Sequence, residues 1–229
     1  MAAPILTAER LCKYYSLGGE KITVLSEVSL SVDKGEFIVV AGDSGSGKTT
    51  LLSILAGLDL PSSGRIALAG RDITGLTEDQ LAPLRNGLTG FVFQAFNLIP
   101  SLNALENVMF PAELKKDRKA RAKAEALLDR VGLLPRRHNF PEQLSGGEQQ
   151  RVAICRALIN EPEIVFADEP TGNLDSRNSE GIIKLLLDLH DDQQMTLVMA
   201  THSRAIAERA DRIIRLLDGR IVPAEALSL

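Results

Sequence analysis

The sequence predicts an α/β fold organised around one strand–loop–helix unit, and three observations carry that prediction. The continuous apolar run Phe37-Ile38-Val39-Val40-Ala41 reads as a central strand buried on both faces. It feeds a glycine-rich turn, Gly42-Asp43-Ser44-Gly45-Ser46-Gly47-Lys48-Thr49, after which Leu51, Leu52, Ile54 and Leu55 mark a helix over 49–56 that Gly57 stops. From residue 164 onward, strand-like and helix-like segments alternate again.

The other elements follow in order. Residues 5–10 and 22–32 read as strands, the second because Ile22, Val24, Val28, Leu30 and Val32 recur with period two. Short strands are expected at 64–70 and 91–93. Between residues 95 and 158 the pattern turns helical. Asp117 is placed to cap a helix reaching Val131, with Ala120, Ala124, Leu127, Leu128 and Val131 along one stripe. Strand 164–167, helix 176–190, strand 195–200, helix 203–209 and a last strand at 212–217 complete the series. No linker or low-complexity tract separates these pieces, so one domain over 1–229 with an inserted helical lobe is expected.

A chain of 229 residues with 45% hydrophobic and 24% charged residues has the composition of an ordinary globular domain. Aromatics are only 4%, Trp is absent and the net charge is −4, so neither a base-stacking platform nor an electrostatic footprint for nucleic acid is expected. Cys12 and Cys155 fit no metal-ligand spacing and read as reduced core thiols. The first residues show no basic-then-apolar signal peptide, and no apolar run is long enough for a bilayer. Any membrane work is expected to pass through another subunit.

Strand, glycine-rich loop and helix form the setting in which G-x-x-x-x-G-K-T binds phosphate. Glycines let successive backbone N–H groups turn inward around phosphate oxygens at a helix N-terminus. Lys48 adds a cation for the β- and γ-phosphates, and the Thr49 hydroxyl can ligate Mg²⁺. The phosphate site is therefore assigned to Gly42, Ser44, Gly45, Ser46, Gly47, Lys48, Thr49 and Thr50. Asp168 ends an apolar strand, at the carboxyl edge of the sheet, where a carboxylate can hold Mg²⁺. In Leu144-Ser145-Gly146-Gly147-Glu148-Gln149, Ser145 and Gly147 offer a hydroxyl and a backbone N–H to phosphate near a second helix start, which Gly146 and Gly147 leave uncrowded.

The phosphate loop, the LSGGEQ segment and Ile164-Val165-Phe166-Ala167-Asp168-Glu169, in that order, resemble the nucleotide-binding subunit of ABC transporters over nearly the whole chain. The resemblance implies a P-loop NTPase cassette: a RecA-like core with an antiparallel β subdomain at 1–94 and 159–229, and a helical signature subdomain at 95–158. It implies ATP as ligand, with Mg²⁺. Glu169 then corresponds to the general base, His202 to the switch histidine at the γ-phosphate, and Gln94 to the hinge glutamine touching Mg²⁺ or the attacking water. Asp175, in Asn173-Leu174-Asp175, corresponds to a residue crossing a dimer interface. Tyr15 matches the aromatic that stacks on adenine, with Tyr14 the other candidate. In the family the LSGGE segment closes over ATP held by a second copy, so Ser145 and Gly147 are expected to act in trans. Ser203 stands where the family usually has Asp, and local helix capping is expected to survive that change.

Narrower segments resemble one branch of the family. Phe91-Val92-Phe93-Gln94, Leu98-Ile99-Pro100, Leu102 to Val108 and Ala167 to Asp175 are similar to the LolD/MacB/YbbA-like branch, YbbA most of all. That likeness implies a permease contacting 94–102, a place on the cytoplasmic face of the inner membrane, and lipidic, peptide or hydrophobic cargo. The alternative is an FtsE-like ATPase that switches an extracytoplasmic enzyme without moving cargo. The basic run from Lys115 to Lys123, interleaved with Asp117, reads as a solvated helix face.

Overall fold

The hairpin that opens the fold is longer than its periodicity suggests. β1 (Leu6–Leu17) continues past residue 10 because Arg10, at φ 46°, forms a bulge that the alternation reads as an end. β2 (Glu20–Val32) pairs with it antiparallel from Leu6↔Val32 to Leu17↔Glu20. Gly18 and Gly19, at φ 58° and 88°, supply the two-residue turn that a right-twisted hairpin needs.

The computed structural model describes residues 3–223, which divide into two units: 3–85 with 196–223, and Asn86–Met195. In the first unit, β4 (Ser63–Leu68) and β5 (Arg71–Asp72) extend the hairpin into an antiparallel sheet of order β2-β1-β4-β5. The apolar run forms β3 (Phe37–Ala41), buried at every position and flanked in parallel by β8 (Thr196–Ala200) and β9 (Arg212–Leu217). An edge strand absent from the sequence-based expectation, β10 (Arg220–Val222), pairs antiparallel with β9 across Asp218 and Gly219. α1 (Lys48–Leu55) follows the glycine-rich loop and stops at Ala56, with Gly57 at φ 70°. α2 (Glu78–Leu88) was also not expected, since Pro83 and Gly87 interrupt its pattern.

The second unit contains a parallel strand pair and a helical core. β6 (Thr89–Val92) runs beside β7 (Ile164–Asp168), and α5 (Gly146–Leu158) lies so close to β6 that a Cβ on Gly90 would meet the Ala157 carbonyl at 2.5 Å. α3 (Ala104–Leu114) and α4 (Ala120–Arg130) pack with α5 around Leu105, Val108, Ala124, Leu128, Val152 and Cys155. The expected stripe on α4 is seen, with Leu127 and Val131 half-buried against that core. The helix begins later than its cap residue predicted: the Asp117 carboxylate accepts the Lys119 amide at 2.8 Å, and Lys119 is itself the N-cap of a helix that starts at Ala120. α6 (Ser176–Gln193) completes this unit and α7 (Arg204–Ala207) the first.

Candidate nucleotide site

Each unit carries its own share of the predicted residues. In the first, Gly45 and Gly47 adopt φ values of 82° and 100°, which side-chain-bearing residues rarely reach. A Cβ on Gly42 would lie 2.3 Å from the Leu216 carbonyl, so the loop's first glycine is required by β9. Lys48 bends back over the loop, its Nζ donating to the Gly42 carbonyl at 2.8 Å and the Asp43 carbonyl at 3.0 Å. Ser44, Gly45 and Thr49 are exposed and Thr50 is half-buried. The Ser46 hydroxyl is buried without a hydrogen-bond partner among the described residues.

The start of α1, like that of α4, carries no side-chain cap and no first-turn acid, unlike the starts of α3, α5 and α6. α3, α5 and α6 are capped by Asn103, Ser145 and Asp175 side chains, whereas α1 has Gly47 at its N-cap, no side-chain cap and no acid in its first turn. Its leading N–H groups and the positive end of the helix therefore face the loop uncompensated by side chains. An orphaned hydroxyl, a folded-back ammonium and an uncapped helix start suit a polyphosphate.

Elsewhere in this unit Tyr15 is 46% exposed and Tyr14 41%, so exposure does not choose between them. Their surroundings differ. The Tyr15 hydroxyl donates to Asp59 at 3.2 Å with Lys13 Nζ 5.0 Å from its ring centroid, while Lys21 Nζ lies 3.7 Å over the Tyr14 ring. His202 is exposed just after β8. Ser203 occupies the N-cap of α7 but its side chain makes no cap bond; the Thr201 hydroxyl instead takes the Ser203 amide at 3.1 Å. The expectation that Ser203 preserves capping is thus corrected: Thr201 performs the local hydrogen bonding.

In the second unit Asp168 ends β7 at 6% exposure, and Glu169 follows in the left-handed region at φ 41°. The Glu169 carbonyl takes the Gly172 amide at 2.9 Å. Gln94 is exposed, and its side chain lies so near Gly172 that a Cβ there would meet Nε2 at 2.6 Å. Asn173 Nδ2 donates to the Gln94 carbonyl at 2.9 Å. The structure thus brings Gln94 to the turn that follows Asp168 and Glu169.

Ser145 caps α5 in a reciprocal box: its Oγ takes the Glu148 amide at 3.3 Å, and Glu148 Oε2 takes the Ser145 amide at 2.8 Å and hydroxyl at 2.9 Å. The Ser145 amide lowers the Glu148 carboxyl below its ordinary range, Arg136 at 3.1 Å adding to the effect. Gly147 is buried rather than open, since a Cβ would lie 2.7 Å from Asn178 Oδ1. Asp175, exposed, accepts the Asn178 amide at 3.0 Å and its Nδ2 at 2.7 Å, acting as the cap of α6.

Three residues escaped the sequence reading. Gln150 is fully buried in α5 and donates to the Pro170 carbonyl at 2.7 Å. Asn107, also fully buried, holds the 99–103 loop through the Ile99 amide at 2.8 Å and the Ile99, Leu102 and Asn103 carbonyls. Arg156 donates to the Asn97 and Phe96 carbonyls at 2.5 and 2.9 Å, and burial lowers its pKa. For Gln150 and Asn107 the signal was a polar residue standing within the apolar stripe of a helix.

Among the described residues no group of three or more His, Cys, Asp or Glu side chains could hold a metal by itself, and no helix is long and apolar enough to cross a membrane. A family profile described as ABC transporter matches residues 25–172. The chain is 47% identical over 221 residues to the lipoprotein-releasing system ATP-binding protein LolD of Syntrophotalea carbinolica, covering 96% of this chain and 97% of that one. It is 48% identical over 215 residues to the macrolide export ATP-binding/permease protein MacB of Bdellovibrio bacteriovorus, covering 94% of this chain but 33% of that protein. The chain therefore spans about a third of the MacB relatives it matches. Among solved structures, the ATP-binding cassette MJ0796, a dimer in a post-hydrolysis state bound to ADP and Pi, superposes with a TM-score of 0.89 at 41% identity, covering 95% of this chain and 97% of that one.

Proposed function

The chain belongs to the ABC transporter family as an ATPase of the LolD/MacB type, and we propose that two copies clamp two ATP molecules between them to drive a membrane permease with an extracytoplasmic domain. The observation that carries this reading is the contrast between helix starts: α1 presents an uncapped N-terminus and Lys48, while α5 presents Ser145 exposed at its tip. The two ends are complementary if one chain's α5 closes on the other's nucleotide.

On this reading the loop amides and Lys48 hold the β- and γ-phosphates, and Tyr15 packs on the adenine. Glu169 accepts a proton from the attacking water, Gln94 orients that water, and His202 contacts the γ-phosphate. Mg²⁺, when bound, neutralises phosphate charge; Thr49, Gln94 and Asp168 supply the hard oxygen donors it prefers. Ser145 and Gly147 of the opposite copy complete the γ-phosphate site, and Asp175 lies at that junction. Loss of the γ-phosphate removes what bridges the copies, which turns hydrolysis into opening.

The functional division we propose is a core at 1–94 and 159–229 and a helical part at 95–158, with 94–102 receiving the permease at the cytoplasmic face of the membrane. Lipid, peptide or hydrophobic cargo is the substrate class. The test is complementation in vitro. Lys48→Ala and Ser145→Arg chains are each inactive, but mixed they form heterodimers with one complete site and regain ATPase activity; no recovery at any ratio overturns the trans arrangement. Purification of the tagged chain from membranes identifies the permease, and a bound extracytoplasmic hydrolase without transported lipid would favour switching over transport.

A further inference from the structure

We infer that Gln150 is a positioning residue for the hydrolytic step, holding the backbone on which Glu169 sits and tying it to the helix that begins at Ser145. The inference rests on Glu169 being the base, as proposed above.

Glu169 is an unusual place for a left-handed backbone. It bears a side chain, and it precedes Pro170, whose ring favours extended geometry in the residue before it. A non-glycine residue held at φ 41° returns to the extended region unless its neighbours prevent it. Two hydrogen bonds do so here. The Gly172 amide donates to the Glu169 carbonyl at 2.9 Å, and Gln150 Nε2 donates to the Pro170 carbonyl at 2.7 Å. The first lies within the turn itself. The second comes from α5, so it fixes the turn to a separate element.

Gln150 is a costly way to make one hydrogen bond. Its side chain is fully buried, and Oε1 has no partner among the described residues. A buried carbonyl without a donor disfavours folding, and an apolar side chain of the same shape removes that penalty at Gln150 while leaving the buried Pro170 carbonyl without its donor. A residue kept for packing alone is therefore better served by Met or Leu. One kept to hold the Pro170 carbonyl is not. The geometry also defines a route by which α5 acts on the turn: the same helix carries Ser145 at its exposed end and Gln150 one and a half turns later, so a shift of α5 displaces the Pro170 carbonyl with it.

Gln150→Met and Gln150→Glu separate the alternatives. The Met variant exchanges one orphaned acceptor, Gln150 Oε1, for another, the Pro170 carbonyl, so its melting temperature stays close to that of the parent chain. ATP affinity stays within about 2-fold, while kcat falls about 100-fold, the loss that a misplacement of about 1 Å can cause. The Glu variant places an acceptor against the Pro170 carbonyl while ionised. Burial raises the pKa of that new carboxyl, and below it the acid donates in place of the amide. Its kcat relative to the parent chain therefore climbs as pH falls, which a packing role does not produce. Unchanged kcat in both variants, or a kcat loss matched by a drop in melting temperature, overturns the inference. Glu169→Gln is run alongside: if it turns over normally the base assignment fails, whereas a dead Glu169→Gln with an active Gln150→Met sinks this inference alone.

Discussion

At Gly147 a hydrogen atom does the work of a side chain. The position is buried, and a methyl group would meet Asn178 Oδ1 at 2.7 Å and Cγ at 2.9 Å. Asn178 has little freedom to yield, because its amide and Nδ2 are both bonded to Asp175. Gly147→Ala is expected to cost about 1–3 kcal/mol by overpacking, read as a lower urea midpoint with an unchanged slope. Removing the obstruction with Asn178→Ala recovers part of that loss, so the double mutant is less impaired than the sum of the singles. Strict additivity would show that the glycine is kept for another reason. Glu148 gives a second prediction at this scale. Its carboxyl is held below the ordinary range by the Ser145 amide, so its contribution is complete above about pH 5, past the unfolded value, and fades as pH falls toward and through its depressed value. Glu148→Gln keeps the cap acceptor but loses the Arg136 ion pair. The variant is expected to be about 0.5–1 kcal/mol less stable at pH 7, a gap that closes in acid; a gap that widens there would contradict the sign.

Among the elements, the segment after Gln94 shows how helices hold a loop that lacks regular structure. Phe96 and Asn97 are both left-handed, at φ 60° and 50°, and Arg156 from α5 grips their two carbonyls. Arg156→Met preserves the stem packing and removes the charged donors. Each such bond is worth about 1.5–3 kcal/mol when charged, so amide exchange over 96–99 is expected to accelerate at least about 10-fold, measured by mass spectrometry. Unchanged protection would place the restraint elsewhere. None of this was legible in the sequence, because a cation bonded to backbone carbonyls leaves no pattern in residue types. The elements that were legible are those whose burial enforces composition: β3, β7 and β8 are buried at every position and read as apolar runs. β5, β10 and α2 were missed, since two are short exposed edges and the third carries Pro83. The phosphate loop was legible because Gly42, Gly45 and Gly47 are each demanded by the backbone. Nothing in the residue pattern announced that Gly147 is also demanded within its own chain, where Asn178 leaves no room for a side chain.

For the whole molecule, the distribution of chemistry decides how activity depends on concentration. Lys48 stands at one helix start and Ser145 at another, and the proposed trans arrangement makes neither sufficient alone. ATP that binds only the closed pair stabilises it by mass action, so hydrolysis follows the population of pairs and not of chains. Well below the dissociation constant of the pair, total ATPase rate is expected to rise with the square of chain concentration, and above it in direct proportion. Glu169→Gln, which holds ATP without splitting it, moves that transition to lower concentration and lets sedimentation count the pairs. A permease that holds two copies together removes the dilution dependence altogether, because the second copy then arrives at an effective concentration set by the complex. A rate per chain that stays constant over a thousand-fold dilution, with no membrane component present, leaves the Ser145 end of α5 without the role assigned to it.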